Sequence, residues 1–309
     1  MLEVFLQTLP FFMLIGLGFT AGRIGFFSAE ATAYLTKFVF YFALTALLFR
    51  FTSQISISEL FDGPTMSAYF LASFAHWAIM VAIALMRGHK LAEAGFEGHT
   101  AVHGNLGFIG IPMLGSLFGP EAVAVILLLV FVDMVVFGTL VVVLVSLGQQ
   151  GRVTWASWNT VLRGLFSNPM IVAIVCGLLW SATGLIVPEP VGRFFDILGA
   201  AATPGALFAI GCSLAYKRVE DPATAVWLSV GKLVIHPLFV FVGAFVVFSV
   251  DPFTATVMVA AAALPVAGNI YLLAQHYDVT PERVSAAILI STVAGIVTVP
   301  VILSFALAL

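Results

Sequence analysis

Two stretches place asparagine, glycine and proline inside otherwise apolar sequence: Asn105-Leu-Gly-Phe-Ile-Gly-Ile-Pro112 and Leu264-Pro-Val-Ala-Gly-Asn-Ile-Tyr271. Proline removes a backbone donor and clashes with the preceding turn, which costs about 3 kcal/mol in a helix interior. Glycine adds about 1 kcal/mol relative to alanine. Each stretch is therefore expected to break a helix, and the freed amides and carbonyls must face protein or a water-filled cavity. A half-helix that starts at such a break presents N–H groups and a positive dipole end, which suits an anionic group. Asn105 and Asn269 would each add a side-chain donor and acceptor. On this reading the substrate-binding residues are Asn105, Gly107, Gly110, Pro112, Pro265, Gly268, Asn269 and Tyr271. The alternative is a pair of proline kinks that serve packing alone.

Lys232 and His236 are spaced to share one helix face. A lysine at the centre of a bilayer costs about 2.5–3.5 kcal/mol on insertion scales, so it faces a cavity or a partner. Lys232 would then meet a substrate carboxylate or exchange a proton; snorkelling to an interface or a structural pair is the other reading. His236, just before Pro237, is a titratable partner or a packing donor. Asp133 is the only acid deep in its apolar stretch. It is a candidate proton or cation site and a candidate partner for Lys232, or else a hydrogen-bonded packing residue. His76 reads as structural, His99 and His103 as interfacial, and Glu59 and Asp62 as solvated loop residues. Cys176 and Cys212 lie in apolar segments and read as packing residues.

The elements that hold these residues follow from composition. Of 309 residues, 61% are hydrophobic and 9% are charged, whereas a soluble domain carries roughly 25% charged residues. Lipid is the solvent that fits, and one span needs about 20 apolar residues. Apolar stretches fall at 4–22, 32–52, 65–86, 98–118, 121–147, 164–184, 193–215, 223–249, 252–277 and 281–307. They are set off by Gly-Pro-Glu at 119–121, Pro188 and Pro190, Asp251-Pro252 and Thr280-Pro281. Met1-Leu2-Glu3 lacks a positive n-region, so the first stretch reads as a retained span rather than a signal peptide. The net charge of −3 gives no reason to expect a nucleic-acid partner. Nine of the twelve basic residues (Arg23, Lys37, Arg87, Lys90, Arg152, Arg163, Lys217, Arg218, Arg283) fall at one set of alternate loops, against Arg50 and Arg193 at the other. The positive-inside rule puts the first set in the cytoplasm and both termini in the periplasm.

The chain also matches itself at a common offset of about 160 residues. Ala43–Phe49 falls on Ala202–Phe208, His76 on His236, the Asn105 stretch on the Asn269 stretch, and Gly-Pro-Glu 119–121 on Thr-Pro-Glu 280–282. Five spans per half is an odd number, so the halves must be inverted in the membrane. Inverted repeats with paired broken helices are a transporter signature, with substrate near the midplane. The expected fold is an all-α integral membrane protein of ten transmembrane helices. Residues 1–150 and 151–309 form two inverted five-helix repeats, with broken crossing helices four and nine.

The pattern G-N-x-G-F-x-G-x-P in the fourth stretch resembles the auxin efflux carrier family, which includes bacterial malonate-type carriers. So does L-P-x-A-x-N-x-Y-x-x-A-x-x-Y from Leu264 to Tyr277. Asn168-Pro169, Pro204 with Leu207-Phe208, and Ser291-Thr292 are similar as well, so the resemblance runs the length of the chain. It departs at Thr45, where many members carry a proline matching Pro204. The resemblance implies a bile-acid-symporter-like fold in which a scaffold and a transport domain each draw on both repeats. It also implies secondary transport of small organic anions at the crossing of the two broken helices, and a bacterial inner membrane.

The expected function is therefore a secondary transporter of small organic anions by alternating access. Its substrate would be a mono- or dicarboxylate such as malonate, or an auxin-like acid. Coupling to a proton or to sodium and assembly as a homodimer are left open, and no cofactor or metal is expected. A sodium-coupled bile-acid-type symporter is the alternative, and a membrane channel or sensor is the alternative from another class. An enzyme is not expected, because no metal, nucleophile or diphosphate-binding constellation is evident, and no P-loop is present.

Overall fold

A computed structural model describes residues 2–55, 62–153, 155–217, 219 and 221–308. Glu59 and Arg218 lie outside the described residues. Among the described residues every extended element is a helix, and the one β pairing is an isolated bridge.

Among the described residues, seven helices are long and apolar enough to cross a membrane: α1 (Leu2–Arg23), α2 (Ala29–Thr52), α3 (Gly63–Met86), α6 (Pro120–Gln150), α9 (Glu189–Ala215), α10 (Pro222–Val247) and α13 (Pro281–Ala306). Four shorter helices complete the two broken stretches. These are α4 (Leu91–Val102) and α5 (Leu106–Phe118), then α11 (Pro252–Ala262) and α12 (Asn269–Tyr277). The stretch expected at 164–184 is different in kind. It begins as α7 (Trp155–Phe166), bends by 62° at the Ser167-Asn168 step, and continues as α8 (Pro169–Ala182). Its first half was missed because Asn159 and Arg163 dilute its apolar character.

Asx–Pro pairs explain several of the starts. The side chains of Asn168, Asp221 and Asp251 accept from the amides of Met170, Thr224 and Thr254, and each is followed by proline at the first helical position. That position needs no donor, so the proline adds rigidity without losing a bond. At Thr45, where the family proline is absent, α2 runs on without a break. The hydroxyl donates to the Tyr41 and Phe42 carbonyls instead.

The helices pack as two groups. α1 lies along α9, and the second half of α2 lies against α8 and the first half of α9. A Cβ on Gly18 would sit 2.1 Å from the Phe208 carbonyl oxygen, and one on Gly211 would sit 2.0 Å from that of Ile15. These backbones are therefore in direct contact. In the second group α3 packs on α4 and α10, α4 on α6, and α11 on α6, α10 and α13. Every residue from Ala255 to Ala267 is buried. One end of this group is tied by Glu97, which is 1% exposed and meets Arg283 at 3.0 Å, His89 at 2.7 Å and Arg87 at 3.6 Å. Large apolar side chains within the long helices, such as Leu17 of α1 and Ile197 of α9, are outward-facing, as lipid-facing residues are.

Candidate functional site

The two helix breaks meet. The Asn105 amide donates to the Pro265 carbonyl at 2.8 Å, and the Ala267 amide donates to the His103 carbonyl at 3.2 Å. Gly104 and Val266 thus form an antiparallel bridge between the α4–α5 and α11–α12 breaks. This pairing satisfies backbone groups that proline and glycine had freed, which apolar surroundings require. Asn105 also caps α5, its Oδ1 accepting from the Phe108 amide at 3.2 Å. The amide of the Val266 backbone, beside Pro265, donates to Ser291 Oγ at 3.1 Å.

Both charges expected inside the spans lie on π-turns, Asp133 within Val132–Phe137 of α6 and Lys232 within Gly231–Ile235 of α10. Such turns widen a helix locally and are frequent at functional sites. Lys232 is fully buried, so it does not snorkel. Its ammonium donates to the Ala262 carbonyl, the last of α11, and lies 3.3 Å from His236 Nδ1. A Cβ on Gly104 would stand 3.2 Å from Lys232 Nζ, so glycine leaves room for the ammonium beside the bridge. The negative end of α11 suits that charge.

Asp133 is 1% exposed. Its Oδ1 accepts from the Tyr69 hydroxyl at 2.9 Å, and its Oδ2 faces His103 Nδ1 at 3.7 Å. Asp133 and Lys232 act on each other electrostatically, yet they make no ion pair within 4 Å among the described residues. His236 Nε2 hydrogen-bonds Ser73 Oγ at 2.9 Å, and the ring stacks on His76 with centroids 5.8 Å apart.

A cavity of about 240 Å³ opens beside the bridge, toward the end where α6 and α12 finish. Asp133, His99, His103, Asn168, Thr160 and Asn269 supply its polar lining. Asn269 is exposed there, and its Nδ2 donates to His103 Nε2 at 3.2 Å. A second hollow of about 720 Å³, with Asp62, Glu121 and Asp251 in its wall, lies where α3, α6 and α11 begin.

The expected site residues separate accordingly. Asn269 and Asp133 share the cavity. Asn105 and Pro265 are joined by the bridge, and Gly107 is partly open beside Met170 of α8. Gly110 packs against Leu264, while Pro112 is buried within α5. Gly268 is exposed at the start of α12. Tyr271 faces Lys217 and accepts from Gln275 Nε2, outside the cavity lining. Lys232 and His236 stand behind the cavity wall. His99 and His103, read as interfacial, are both buried inside the protein, and α4 starts at Leu91 rather than at 98. Tyr69 and Ser73 carried no signal in the sequence, being ordinary residues of an apolar helix whose partners come from α6 and α10.

The signature of the family described as "Membrane transport protein" matches residues 3–303. The chain is 31% identical over 302 residues to a protein of Rhizobium meliloti (strain 1021) named "Putative malonate transporter", covering 97% of this chain and 94% of that one. It is 24% identical over 305 residues to the "Uncharacterized transporter YfdV" of Escherichia coli (strain K12), covering 94% of each. An "Uncharacterized transporter" of Methanothermobacter thermautotrophicus is 25% identical over 292 residues, covering 93% of each.

Proposed function

Since the chain belongs to this membrane transport protein family, the auxin efflux carrier family, we propose that it is a secondary carrier of small organic anions working by alternating access. The observation that carries the reading is the bridge between two broken helices beside a cavity that holds Asn269. On this reading α4 with α5 is the fourth span, α7 with α8 the sixth, and α11 with α12 the ninth. The ten spans then form two inverted repeats, 1–150 and 151–309. The group of α1, α2, α8 and α9 is the scaffold, and the other group is the transport domain. The arginine-rich loops face the cytoplasm, and the cavity opens to that side of a bacterial inner membrane.

Substrate lies against Asn269 and Asn105, where Gly107 and Gly268 let backbone amides approach it. Pro265 shapes the second break, Gly110 and Pro112 set the packing of α5 beyond the first, and Tyr271 helps hold α12. Malonate is the first substrate to test, given the name of the Rhizobium meliloti relative. The cavity of about 240 Å³ suits a small acid, since drug-sized ligands fill roughly 300–1,000 Å³. A bile-acid-type sodium symporter is less well supported on two counts, the size of the cavity and the Lys232 ammonium at the carbonyl end of α11. Freed carbonyls and half-helix C-termini are where such carriers hold sodium.

The test is uptake of labelled malonate and related carboxylates into proteoliposomes, with and without pH and sodium gradients. Saturable uptake that Asn269→Ala abolishes supports the carrier. No exchange of any tested anion removes the organic-anion assignment.

A further inference from the structure

Hydrogen bonds lead from Lys232 and from Asp133 to neighbouring turns of α3. An ammonium only donates, so Lys232 donates to His236 Nδ1 at 3.3 Å. The neutral imidazole then carries its proton on Nε2 and donates to Ser73 Oγ at 2.9 Å. Tyr69 lies four residues before Ser73 on the same helix, α3. The Tyr69 hydroxyl donates to Asp133 Oδ1 at 2.9 Å. A charged lysine and a charged carboxylate make the pair neutral overall.

The other oxygen of Asp133 is differently placed. Oδ2 is buried and has no hydrogen-bond partner among the described residues, as is true of His103 Nδ1 opposite it. Because Asn269 Nδ2 donates to His103 Nε2, the proton of the neutral His103 ring is on Nδ1, facing Oδ2 at 3.7 Å. Both residues line the cavity. The titratable or charged groups that face the carboxylate are Tyr69 from α3, His99 and His103 from α4, and Lys232 from α10. The polar lining from α7, α8 and α12 is Thr160, Asn168 and Asn269, none of them charged.

An organic anion entering this cavity would add a negative charge beside a carboxylate in a low-dielectric site, which is costly unless it is compensated. We propose that the carrier binds one proton with each anion, and that Asp133 Oδ2 is the atom that takes it. The proton comes from the water on the side from which the anion enters. It forms an O–H bond at Oδ2, lets the neutral carboxyl donate to the anion, and leaves with the anion on the far side. This inference rests on the carrier reading above.

The experiment uses the full-length protein in liposomes with the membrane potential clamped, labelled malonate, and a pH-sensitive dye inside. For one proton per anion, accumulation follows the imposed gradient by about tenfold per pH unit, and malonate entry acidifies the lumen. Asp133→Asn loses both effects, and Asp133→Glu, which restores a carboxyl, regains them. Malonate exchange by the wild type with no proton entry overturns the proposal, as does gradient-driven accumulation by Asp133→Asn. Absence of any malonate exchange by the wild type fails earlier and overturns the carrier reading itself.

Discussion

Lys217, just beyond the end of α9, sits over the ring of Tyr271 in α12 with its Nζ 4.3 Å from the centroid, and donates to Ser285 Oγ of α13 at 3.2 Å. One side chain thus joins the two helix groups at the arginine-rich end. Burial lowers its pKa from 10.5 to about 8. Below pH 8 it is charged in folded and unfolded chains alike, and stability has no slope from this group. Between 8 and 10.5 the unfolded chain holds a proton the folded one has lost, so stability rises with pH. Heat unfolding in detergent across that window should show the rise, and Lys217→Arg, protonated in both states, should remove its Lys217 component. An unaltered profile in the arginine variant would sink the assignment.

Asn269 holds the one donor that fixes the His103 ring at the cavity. Asn269→Ala removes this donor and the amide facing substrate together. Hydrogen bonds to charged groups contribute about 1.5–3 kcal/mol, or roughly 10- to 100-fold. Malonate uptake should therefore fall at least about tenfold, read as initial rates normalised to protein inserted. A variant with wild-type rates would place the substrate elsewhere.

How much of this was legible beforehand depended on whether a residue's signal was local. The interruption between α11 and α12 contains Pro265 and could be read from the chain alone. The first falls instead at His103–Asn105, and Gly107, Gly110 and Pro112 lie within α5, as Pro10 lies within α1 and Pro300 within α13. Asp251-Pro252 announced a helix start, while the stretch drawn from 164 ran through the start at Pro169. A charge in an apolar stretch is conspicuous, and Lys232 and Asp133 are indeed buried. Asp133 was read as a candidate partner for Lys232, but its bond to Tyr69 and the Lys232–His236–Ser73 bonds were not legible, because those residues meet only when α3, α6 and α10 pack. The place of His103 at the cavity was not legible either, because the helix was started at 98 rather than at Leu91 and its burial depends on how α4 packs.

The contact between α1 and α9 predicts a stability defect independent of transport chemistry. At Gly211 a side chain would meet the Ile15 carbonyl, which is backbone and cannot rotate away. Overpacking costs typically about 1–3 kcal/mol. Gly211→Val should lower the unfolding temperature in detergent. Gly16→Ala on α1, where a Cβ meets nothing within 4 Å, should leave it near the wild-type value. Equal effects from both variants would mean that the two helices do not touch in this way.

Lys232 and Asp133 should be energetically coupled although they form no direct ion pair. Removing one member of a buried charge pair costs about 3–5 kcal/mol, because the other charge is left uncompensated, whereas replacing both is far milder. Lys232→Met frees the Ala262 carbonyl and strands the carboxylate behind Tyr69. Asp133→Asn leaves the ammonium without a counter-charge but keeps a group for Tyr69 to contact, so it should be the milder single change. The double variant should be more stable than Lys232→Met alone, because it restores neutrality even though it removes a second native side chain. Unfolding free energies for the four proteins form a double-mutant cycle. A coupling near zero would mean that the two buried charges do not act on each other across α3. A coupling of about 1 kcal/mol or more, in the range seen for residues sharing a hydrogen-bond network, would place both charges in one unit despite their separation.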